Sequence, residues 1–582
     1  SKESAAGFSL ASALKADPQG EAIARHLAEI LGKITGRDWS VATGEGETVS
    51  RGIVLAVAAD FPELAKEASL DSANPLGRED YLLRTSGDRL LVLGATPLGV
   101  RQGVADLLHR WGYRQFFPGK AWEIVPRLNS LALRVDEVQR PAYAFRDMFT
   151  NNYLPGEEAA YQHWCAVNRM GSGFQLNTRH AYHAIFRRHE AVFAENPDYF
   201  ARVDGVPQDA ATKKIFKFNA ANPGLMELLV KDAKAILGKE NAEDSISMDP
   251  SDFGGWDNSG EAFKKIGSPS NQAITMANAV AREAAAPLGK YVGMYAYYDH
   301  QSPPEIPVES NIIVSFATRF LKPGHDLFDL IEGWKSKGVK HIGIRDYSSY
   351  WNWDLAMPGR ALGGNLDYLR QSLVRYQQVG ARFYTSEFQS AWGAYGLGFY
   401  ATSRLLWNPS EELSAVVDDF LEKAFGPAAA PMGRFYSLLN GDDSVLGRYT
   451  TPAQFYAPLL EALDAAREDQ AVTQRVTELM AYVRYVELLG NLEKTTYAKK
   501  PEALLALYDW LFRSAPLQML PTKAIALRGK SGIHQIYPRL SHPDAAALNA
   551  MLTDASSRPV TLEELTKLAS EAVAASAKKS AL

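Results

Sequence analysis

The chain contains almost no cysteine and no long uninterrupted hydrophobic segment. Its 582 residues include one cysteine, Cys165, which excludes an internal disulfide framework and a zinc site built from cysteines. No stretch reaches the roughly 18 to 20 unbroken apolar residues that a membrane-spanning helix needs. The formal charge of -5 leaves no basic excess that would predict binding to nucleic acid or to an anionic membrane. We therefore expect neither a transmembrane segment nor a nucleic-acid partner.

The N-terminus and the missing disulfides bear on localisation. The sequence starts with Ser1 instead of Met, as expected of a mature form whose signal peptide is absent from the sequence. A chain without disulfides suits a bacterial periplasm as well as a cytoplasm. We expect a periplasmic or secreted protein.

What the chain does have is a set of short apolar runs that end at carboxylates. They are Ile246–Asp252 with Asp249 inside it, Gly293–Asp299, Ile342–Asp346 and Phe383–Glu387. Buried parallel strands of a (β/α)8 barrel have this pattern, because they carry polar groups to one rim where chemistry is done. Aromatic residues make up 11% of the chain, including 11 Trp and 26 Tyr. An acidic rim in an aromatic-rich chain predicts a carbohydrate ligand.

The patterns along the chain predict an α/β protein of three parts. Residues 1–138 read as a small α/β domain, 139–410 as a (β/α)8 TIM-like barrel and 411–582 as a helical domain. We expect barrel strand 1 at 143–147 and strand 2 at 174–178, with strand 3 hidden in the irregular region that runs to about residue 240. The four carboxylate-ended runs and the run 311–316 supply strands 4 to 8.

Paired carboxylates suit the cleavage of glycosidic bonds. One acid protonates the leaving oxygen, and a second group stabilises or attacks the anomeric carbon. Asp252 is the first catalytic candidate, because Gly254 and Gly255 let the backbone approach a ligand and Trp256 offers a ring for stacking. Glu387 and Asp299 are the other two candidates.

A larger set of residues is predicted to contact the substrate. Arg146 is included because it could pair with a substrate carboxylate, although pairing with Asp147 or another rim acid is an alternative. Asp346 beside Arg345, and Asp249 before Pro250, could instead serve a salt bridge and a turn cap. The full set is Arg146, Asn151, Asn177, His180, Asp249, Trp256, Tyr298, Asp346, Tyr350, Trp351, Trp353 and Trp392.

Metal and cofactor sites are not predicted. His180 and His183 are close in sequence, but a zinc site would need an H-E-x-x-H spacing and a third ligand, and the sequence supplies neither. The turn Gly94–Gly99 lacks both the spacing of a dinucleotide-binding loop and the lysine of a P-loop. We expect no cofactor.

The order of several motifs resembles known glycosidase families. The segments 31–36, 94–103 and 111–118 are similar to the domain that precedes the barrel in family 67 α-glucuronidases and family 20 hexosaminidases. The barrel resembles the family known as domain of unknown function 4838, grouped with family 163 endo-β-N-acetylglucosaminidases. The barrel motifs are Asn196-Pro-Asp-Tyr-Phe, Asn219-Ala-Ala-Asn-Pro, Ser247-Met-Asp-Pro-Ser-Asp252-Phe-Gly-Gly, Tyr295-Ala-Tyr-Tyr and Leu405-Leu-Trp-Asn-Pro409.

The resemblance implies an exported, retaining β-glycosidase acting on N-acetylhexosamine linkages of a glycan. It also implies that the substrate's own acetamido oxygen could be the nucleophile. Family 20 relatives carry adjacent Asp and Glu after strand 4, whereas this chain has Asp249-Pro-Ser-Asp252. A uronidase that uses Arg146, and a carbohydrate-binding protein without catalysis, are the alternatives. The sugar, the linkage, endo or exo action, the stereochemistry, the roles of the individual carboxylates and the oligomeric state stay open.

Overall fold

The computed structural model describes most of the chain. It covers residues 6–43, 51–208, 216–349, 362–440, 452–527, 533 and 537–580. The predicted sugar contacts Tyr350, Trp351 and Trp353 lie outside the described residues.

The N-terminal part is a mixed sheet flanked by helices, as the sequence predicts. Its strands are β1 Ala6–Leu10, β2 Trp39–Thr43, β3 Arg51–Val57, β4 Tyr81–Ser86, β5 Asp88–Gly94, β6 Arg114–Gln115, β7 Glu123–Ile124 and β8 Asp136–Gln139. The main sheet has the order β2-β1-β3-β5-β4-β8, in which β4 and β8 are antiparallel to their neighbours. Its helices are Ser12–Ala16, Pro18–Thr35, Pro62–Glu67 and Pro97–Arg110. Asp17 caps the helix Pro18–Thr35, which ends at Gly36 in the left-handed conformation.

The central part contains a parallel sheet that positions the candidate site. Its strands are β9 Phe145–Phe149, β10 Gly171–Ser172, β11 Arg202–Val203, β12 Val206–Pro207, β13 Ser245–Ser247, β14 Tyr291–Ala296, β15 Ile312–Ala317, β16 His341–Tyr347 and β17 Ala381–Glu387. The sheet order is β10-β9-β17-β16-β15-β14-β13, and every pair except β10–β9 is parallel. The six residues of β15 are all buried, as expected for a parallel strand that is covered on both faces.

Helices cover the parallel sheet. They are Glu157–Val167, Tyr182–Arg188, Glu190–Glu195, Pro223–Leu237, Glu261–Lys265, Pro269–Val280, Leu327–Lys335, Leu366–Gln378 and Trp392–Trp407. The helical spacing of apolar residues around 159–170, 225–237, 271–285, 327–337 and 366–379 predicts five of them, with ends that differ by a few residues.

The predicted count of eight barrel strands is not reached in the described part of the chain, where the sheet has six parallel strands. Predicted strand 2 instead runs extended beside β13, and side chains make several of its contacts. The Asn177 amide donates to Ser245 Oγ, and Ser247 Oγ donates to the Arg179 carbonyl. Among its described residues, the strands of the region expected to hide strand 3 are β11 and β12, which form a hairpin outside the parallel sheet.

The C-terminal part is helical, as predicted. Its helices are Leu413–Phe425, Ala429–Leu439, Pro452–Ala465, Gln470–Lys494, Lys500–Ser514, Ala545–Ala555 and Leu562–Ser580. Trp122 Nε1, in the loop before β7, donates to Glu478 at 2.7 Å, so this part packs directly on the preceding ones. In the described ranges no helix has the length and apolar character that crossing a membrane requires.

Candidate functional site

One face of the parallel sheet gathers polar side chains toward its carboxyl end. Successive residues of a strand point to opposite faces, so the paired positions Asp147, Thr385 and Arg345 share a face. The next level on this face holds Phe149, Glu387 and Tyr347. We call this face of the parallel sheet the inner face. At its other end Phe145, Ile313 and Phe383 belong to one small apolar cluster with Phe174, which closes the bottom.

Glu387 is held by a buried arginine. Arg345 Nη2 donates to Glu387 Oε1 at 2.6 Å, and the guanidinium carbon lies 4.4 Å from the ring centre of Phe149 and 5.5 Å from that of Tyr295. Burial alone would lower the pKa of Arg345, but Tyr295 and Glu387 outweigh it and raise the pKa above its ordinary value. Arg345 is therefore a fixed positive charge beside a partly exposed carboxylate.

Asp249 is fully buried between two histidines. Its Oδ1 accepts from the Tyr295 amide at 2.8 Å and lies 3.7 Å from His300 Nε2. Its Oδ2 lies 2.6 Å from His180 Nδ1. Burial acts to raise the pKa of Asp249, yet the two histidines outweigh it and hold the pKa below its usual value. Asp249 is therefore a buried anchor for His180.

His180 reaches from this anchor to the open rim. Its side chain is 37% exposed, and Nδ1 also lies 2.6 Å from the Pro250 carbonyl. Partial burial opposes the charged form, but Asp249 and then Asp252 raise the pKa of His180. The His180 ring meets the Tyr295 ring edge-on at 6.1 Å between centroids. Tyr295 thus links the His180 side of the site to Arg345 and Glu387.

Asp252 lies in a loop that a buried lysine holds. Asp252 is half-buried, and its Oδ1 accepts from the Phe253 amide at 3.0 Å. Lys217 is fully buried, and its Nζ donates to the carbonyls of Ser251, Phe253 and Gly254 at 2.7, 2.8 and 2.9 Å. The Lys217 ammonium replaces the hydrogen bonds that this irregular backbone lacks, and so fixes where Asp252 stands.

The remaining rim residues follow β14 and β9. Asp299 lies in the short helical turn Tyr298–His300, and its Oδ1 is 3.6 Å from Lys322 Nζ. Tyr298 is 42% exposed. Asn151 is exposed just after β9. Asp249, Asp252, Tyr298, Asp299, Glu387 and Asn151 therefore follow or end strands at the carboxyl end of the sheet, while His180 follows the extended segment 174–178.

Arg146 does not contact open space, which corrects its prediction as a substrate ligand. Its side chain is 0% exposed and pairs with Glu79, to which Nη2 and Nη1 donate at 2.6 and 3.0 Å. It also donates to the carbonyls of Arg169 and Tyr143. As a neighbour of Asp147 on β9 it points to the opposite face, toward the N-terminal sheet.

Asp346 also faces away from the candidate site, which corrects its prediction as a substrate contact. Strand alternation is again the reason. Arg345 is on the inner face, so Asp346 points outward. There it is 2% exposed and accepts from Thr318 Oγ1, the Tyr347 amide and the Tyr384 hydroxyl at 2.7, 2.8 and 3.2 Å. The carboxylate oxygens of Asp346 thus accept hydrogen bonds from neighbouring residues of the protein, and they do not face a substrate.

Three further residues that were predicted to contact the substrate instead make contacts within the protein. Trp392 is 2% exposed and packs in the core against Trp164, with ring centroids 5.0 Å apart. Trp256 is 8% exposed and lies between Lys217 and His300, so it offers no open stacking face. Asn177 donates to Glu243 beside the start of β13, at the end of the sheet opposite the rim.

Sequence reasoning missed Arg345, Lys217 and Asp147 as members of the site. Arg345 was paired with its neighbour Asp346, an assignment that strand alternation excludes. Asp147 is on the inner face, where burial raises its pKa while Arg179 and Arg345 oppose the shift. No local pattern marks Lys217, because its partners lie more than 30 residues away. Among the described residues no cluster of three or more metal-ligating side chains occurs.

Comparisons with known proteins identify a family and a fold. The sequence profile described as "Domain of unknown function (DUF4838)" matches residues 117–437, more than half of the chain. No curated protein matches significantly. The chain shares its fold with a family GH115 4-O-methyl-α-glucuronidase with specificity for decorated arabinogalactans, at a TM-score of 0.56 and 11% identity over 90% of this chain and 78% of that one.

Two further solved structures resemble the chain more weakly. A GH138 enzyme targeting pectin rhamnogalacturonan II has a TM-score of 0.46 and 12% identity over 97% of this chain and 74% of that one. The GH20 β-N-acetylhexosaminidase from Streptomyces coelicolor A3(2) has a TM-score of 0.38 and 13% identity, covering 72% of this chain and 90% of that one.

Proposed function

This chain belongs to the DUF4838 family, and we propose that it is a glycoside hydrolase. The observation that carries the proposal is the pair of Glu387 and Asp252, which stand at the same end of the sheet in unlike surroundings. Glu387 is bonded to the guanidinium of Arg345, whereas Asp252 lies in the loop that Lys217 holds, where its charge helps to raise the pKa of His180. Two carboxyl groups in unlike environments can take the two unlike roles that glycoside cleavage needs. A fold shared with a glycoside hydrolase supports the proposal.

In the proposed reaction Asp252 acts as the acid and Glu387 as the partner of the anomeric carbon. Asp252 gives its proton to the leaving glycosidic oxygen as that bond breaks, while positive charge develops on the sugar. The Glu387 carboxylate, oriented by Arg345, forms a glycosyl ester with that carbon. A water molecule then attacks the ester, gives its proton to Asp252 and releases the sugar with its starting configuration. Asp299 and His180 would bind sugar hydroxyl groups at the edge.

The proposed substrate is a glycan with a β-linked N-acetylhexosamine. This choice rests on the sequence resemblance, and a substrate panel tests it. Purified protein would be assayed with aryl β-N-acetylglucosaminides, aryl α- and β-uronides and intact N-acetylhexosamine-containing glycans. We expect turnover of the N-acetylhexosaminides or the glycans, with retention at the anomeric carbon seen by proton NMR. Turnover of uronides alone would favour the uronidase that the GH115 likeness suggests.

One more measurement distinguishes a substrate-assisted mechanism from a mechanism in which Glu387 is the nucleophile. If the acetamido oxygen is the nucleophile, replacing the acetyl group by trifluoroacetyl slows the first step strongly, because the oxygen becomes a weaker nucleophile. If Glu387 is the nucleophile, the same replacement has a small effect. The uronidase alternative depended on Arg146 as the partner of a substrate carboxylate, but Arg146 is buried against Glu79. Glycan binding without cleavage in any assay would favour a carbohydrate-binding protein.

The proposal includes action outside the cytoplasm, where glycans of this kind are found. Cell fractionation of the organism that makes the protein, followed by immunodetection, checks this expectation. Recovery of the full-length protein only in the cytoplasmic fraction would contradict it.

A further inference from the structure

Three large aromatic side chains stand exposed on successive loops of the rim. Phe253 follows β13, Tyr298 follows β14 and Phe320 follows β15, and they are 55%, 42% and 43% exposed. Aromatic side chains usually contribute large buried areas to a core. Exposed apolar groups gathered beside a candidate active site indicate a surface that another molecule covers.

The three side chains belong to one continuous set of ring contacts. Phe253 meets Tyr298 edge-on at 6.3 Å between centroids, and Tyr298 lies 6.0 Å from Tyr297. Tyr297 meets Phe320 at 6.1 Å, and Phe320 meets Tyr347 at 5.3 Å. We call Phe253, Tyr298, Tyr297 and Phe320 the aromatic row. Its far end adjoins Tyr347, which is paired with Glu387 on the inner face.

The backbone of the aromatic row is strained. In the described part of the chain seven non-glycine residues have positive φ, and Phe253, Tyr298 and Phe320 are three of them, at 58°, 48° and 63°. Bulky residues rarely adopt this left-handed region, because the Cβ crowds the neighbouring peptide groups. Strain of this kind persists where the surroundings enforce it, and it concentrates at ligand sites.

Buried polar groups enforce this geometry from below. Lys217 binds the carbonyls on both sides of Phe253 and that of Phe253 itself. Gln301, which is fully buried, donates to the Tyr298 carbonyl at 2.6 Å and accepts from the Lys322 amide at 3.0 Å. Gln301 therefore ties the loop of Tyr298 to the loop of Phe320. The exposed rings are held in place before any ligand arrives, which lowers the entropic cost of binding.

We propose that the aromatic row is a sugar-stacking subsite that binds a second sugar unit of the substrate, next to the unit whose bond is cleaved. The axial C–H groups of a pyranose form an apolar face that packs on aromatic rings, while its hydroxyl groups stay in contact with water or with polar rim groups. The inference rests on the proposed function and deepens it. It assigns the enzyme to oligosaccharides or longer glycans.

The test compares a chain of sugars with a single sugar. Phe253→Gly and Tyr298→Gly each remove a ring, and glycine accepts a positive φ without strain, so both variants are expected to fold. The measured quantity is the ratio of kcat/KM for an oligosaccharide to kcat/KM for the corresponding aryl monosaccharide. We expect each variant to lower this ratio at least about tenfold, mainly through KM of the oligosaccharide.

A matched control and a direct binding assay complete the design. Tyr497→Ala removes an aromatic side chain that is 62% exposed in the helical C-terminal part, and it should leave the ratio unchanged. If the wild type cleaves both substrates and the ratio stays the same in both glycine variants, the subsite is wrong while the proposed function stands. If the wild type cleaves neither substrate, the proposed function fails, and calorimetric titration with the oligosaccharide decides the subsite alone. Binding by the wild type that both glycine variants weaken would support the subsite, and equal binding by all three would overturn it.

Discussion

At the scale of single residues, Lys217 is an unusual group in this site. It has no exposed surface, and its ammonium is surrounded by the carbonyls of the loop that carries Asp252. Burial lowers the pKa of Lys217 from 10.5 to about 8, although Asp249, Asp252 and Asp299 oppose the shift. The charge that holds the loop is therefore lost within a pH range that is easily measured.

This lowered pKa predicts an alkaline limit to activity. Above pH 8 the neutral amine binds the carbonyls more weakly, so Asp252 is held less firmly and kcat should fall with an apparent pKa of about 8. Global stability should not fall for this reason. Between pH 8 and 10.5 the unfolded chain keeps the Lys217 proton that the folded chain has lost, so this group alone makes stability rise with pH.

A charge-retaining variant checks this prediction. The guanidinium of Lys217→Arg stays protonated over the whole range, so the alkaline limit of the pH–rate profile should move to higher pH. The fluorescence of Trp256 offers a second readout, since Lys217 Nζ lies 5.3 Å from its ring centre. A wild-type fluorescence titration near pH 8 that is absent in Trp256→Phe would support the assignment. The same alkaline limit in wild type and Lys217→Arg would refute it.

At the scale of elements, the sequence predicted the apolar parallel strands better than it predicted the segment 174–178. The runs that end at Asp299, Asp346 and Glu387 are β14, β16 and β17 with short extensions, because a buried parallel strand must be nearly continuous in apolar residues. The segment 174–178 instead alternates apolar and polar residues, and its contacts depend on Ser245 and Ser247 far along the chain. Such partners cannot be seen from local pattern.

Strand alternation separates the predicted residues that face the candidate site from those that do not. Asp346 and Arg146 looked functional because each is close to the end of a strand, yet both face away from the site. Their neighbours Arg345 and Asp147 face into it. Which face of a strand is inner depends on the packing of the whole sheet, so residue type alone could not separate them.

Gly293 on β14 predicts how the extended segment 174–178 is held. A Cβ at this position would lie 2.1 Å from the Asn177 carbonyl oxygen and 2.9 Å from Thr178 Cγ2. Gly293→Ala should therefore displace the segment and lower the free energy of unfolding by about 1–3 kcal/mol. Activity should fall as well, because His180 follows this segment directly.

Chemical denaturation measures this effect, with Gly490→Ala as the control. A Cβ at Gly490 meets no other atom within 4 Å, and the residue lies inside the helix Gln470–Lys494. Alanine should therefore keep or raise stability there, by up to about 1 kcal/mol. Equal stability of Gly293→Ala and the wild type would show that the segment does not pack on β14 as described.

At the scale of the whole molecule, the N-terminal sheet and the parallel sheet share a buried ion pair. Glu79, just before β4, and Arg146 on β9 have side chains that are 3% and 0% exposed. Trp407 covers the pair, with its ring centre 5.1 Å from the guanidinium of Arg146. A buried charge that loses its partner is costly, so this contact couples the two parts of the chain.

Removing one partner should therefore destabilise the protein strongly. Arg146→Met leaves Glu79 as a buried charge without its main partner and should lower the free energy of unfolding by about 3–5 kcal/mol. Asp88→Asn breaks an ion pair with Arg51 whose side chains are 75% and 84% exposed, and it should change stability by less than about 1 kcal/mol. Urea denaturation of both variants makes the comparison. A substrate preference that changes in Arg146→Met without loss of stability would instead favour a role for Arg146 in binding.

The measurement that tests the central claim most directly is the turnover of Glu387→Gln and Asp252→Asn on the best substrate of the panel. Both changes are nearly isosteric and leave the strands and the Lys217 contacts in place. We expect each to lower kcat at least about a hundredfold. Asp252→Asn should keep the melting temperature, whereas Glu387→Gln leaves the buried Arg345 without its charged partner and should lower it. Glu332→Gln, an exposed carboxylate on the outer helix Leu327–Lys335, should keep wild-type turnover. Turnover within about tenfold of the wild type in both rim variants would contradict the account, because glycoside cleavage would then not depend on this pair.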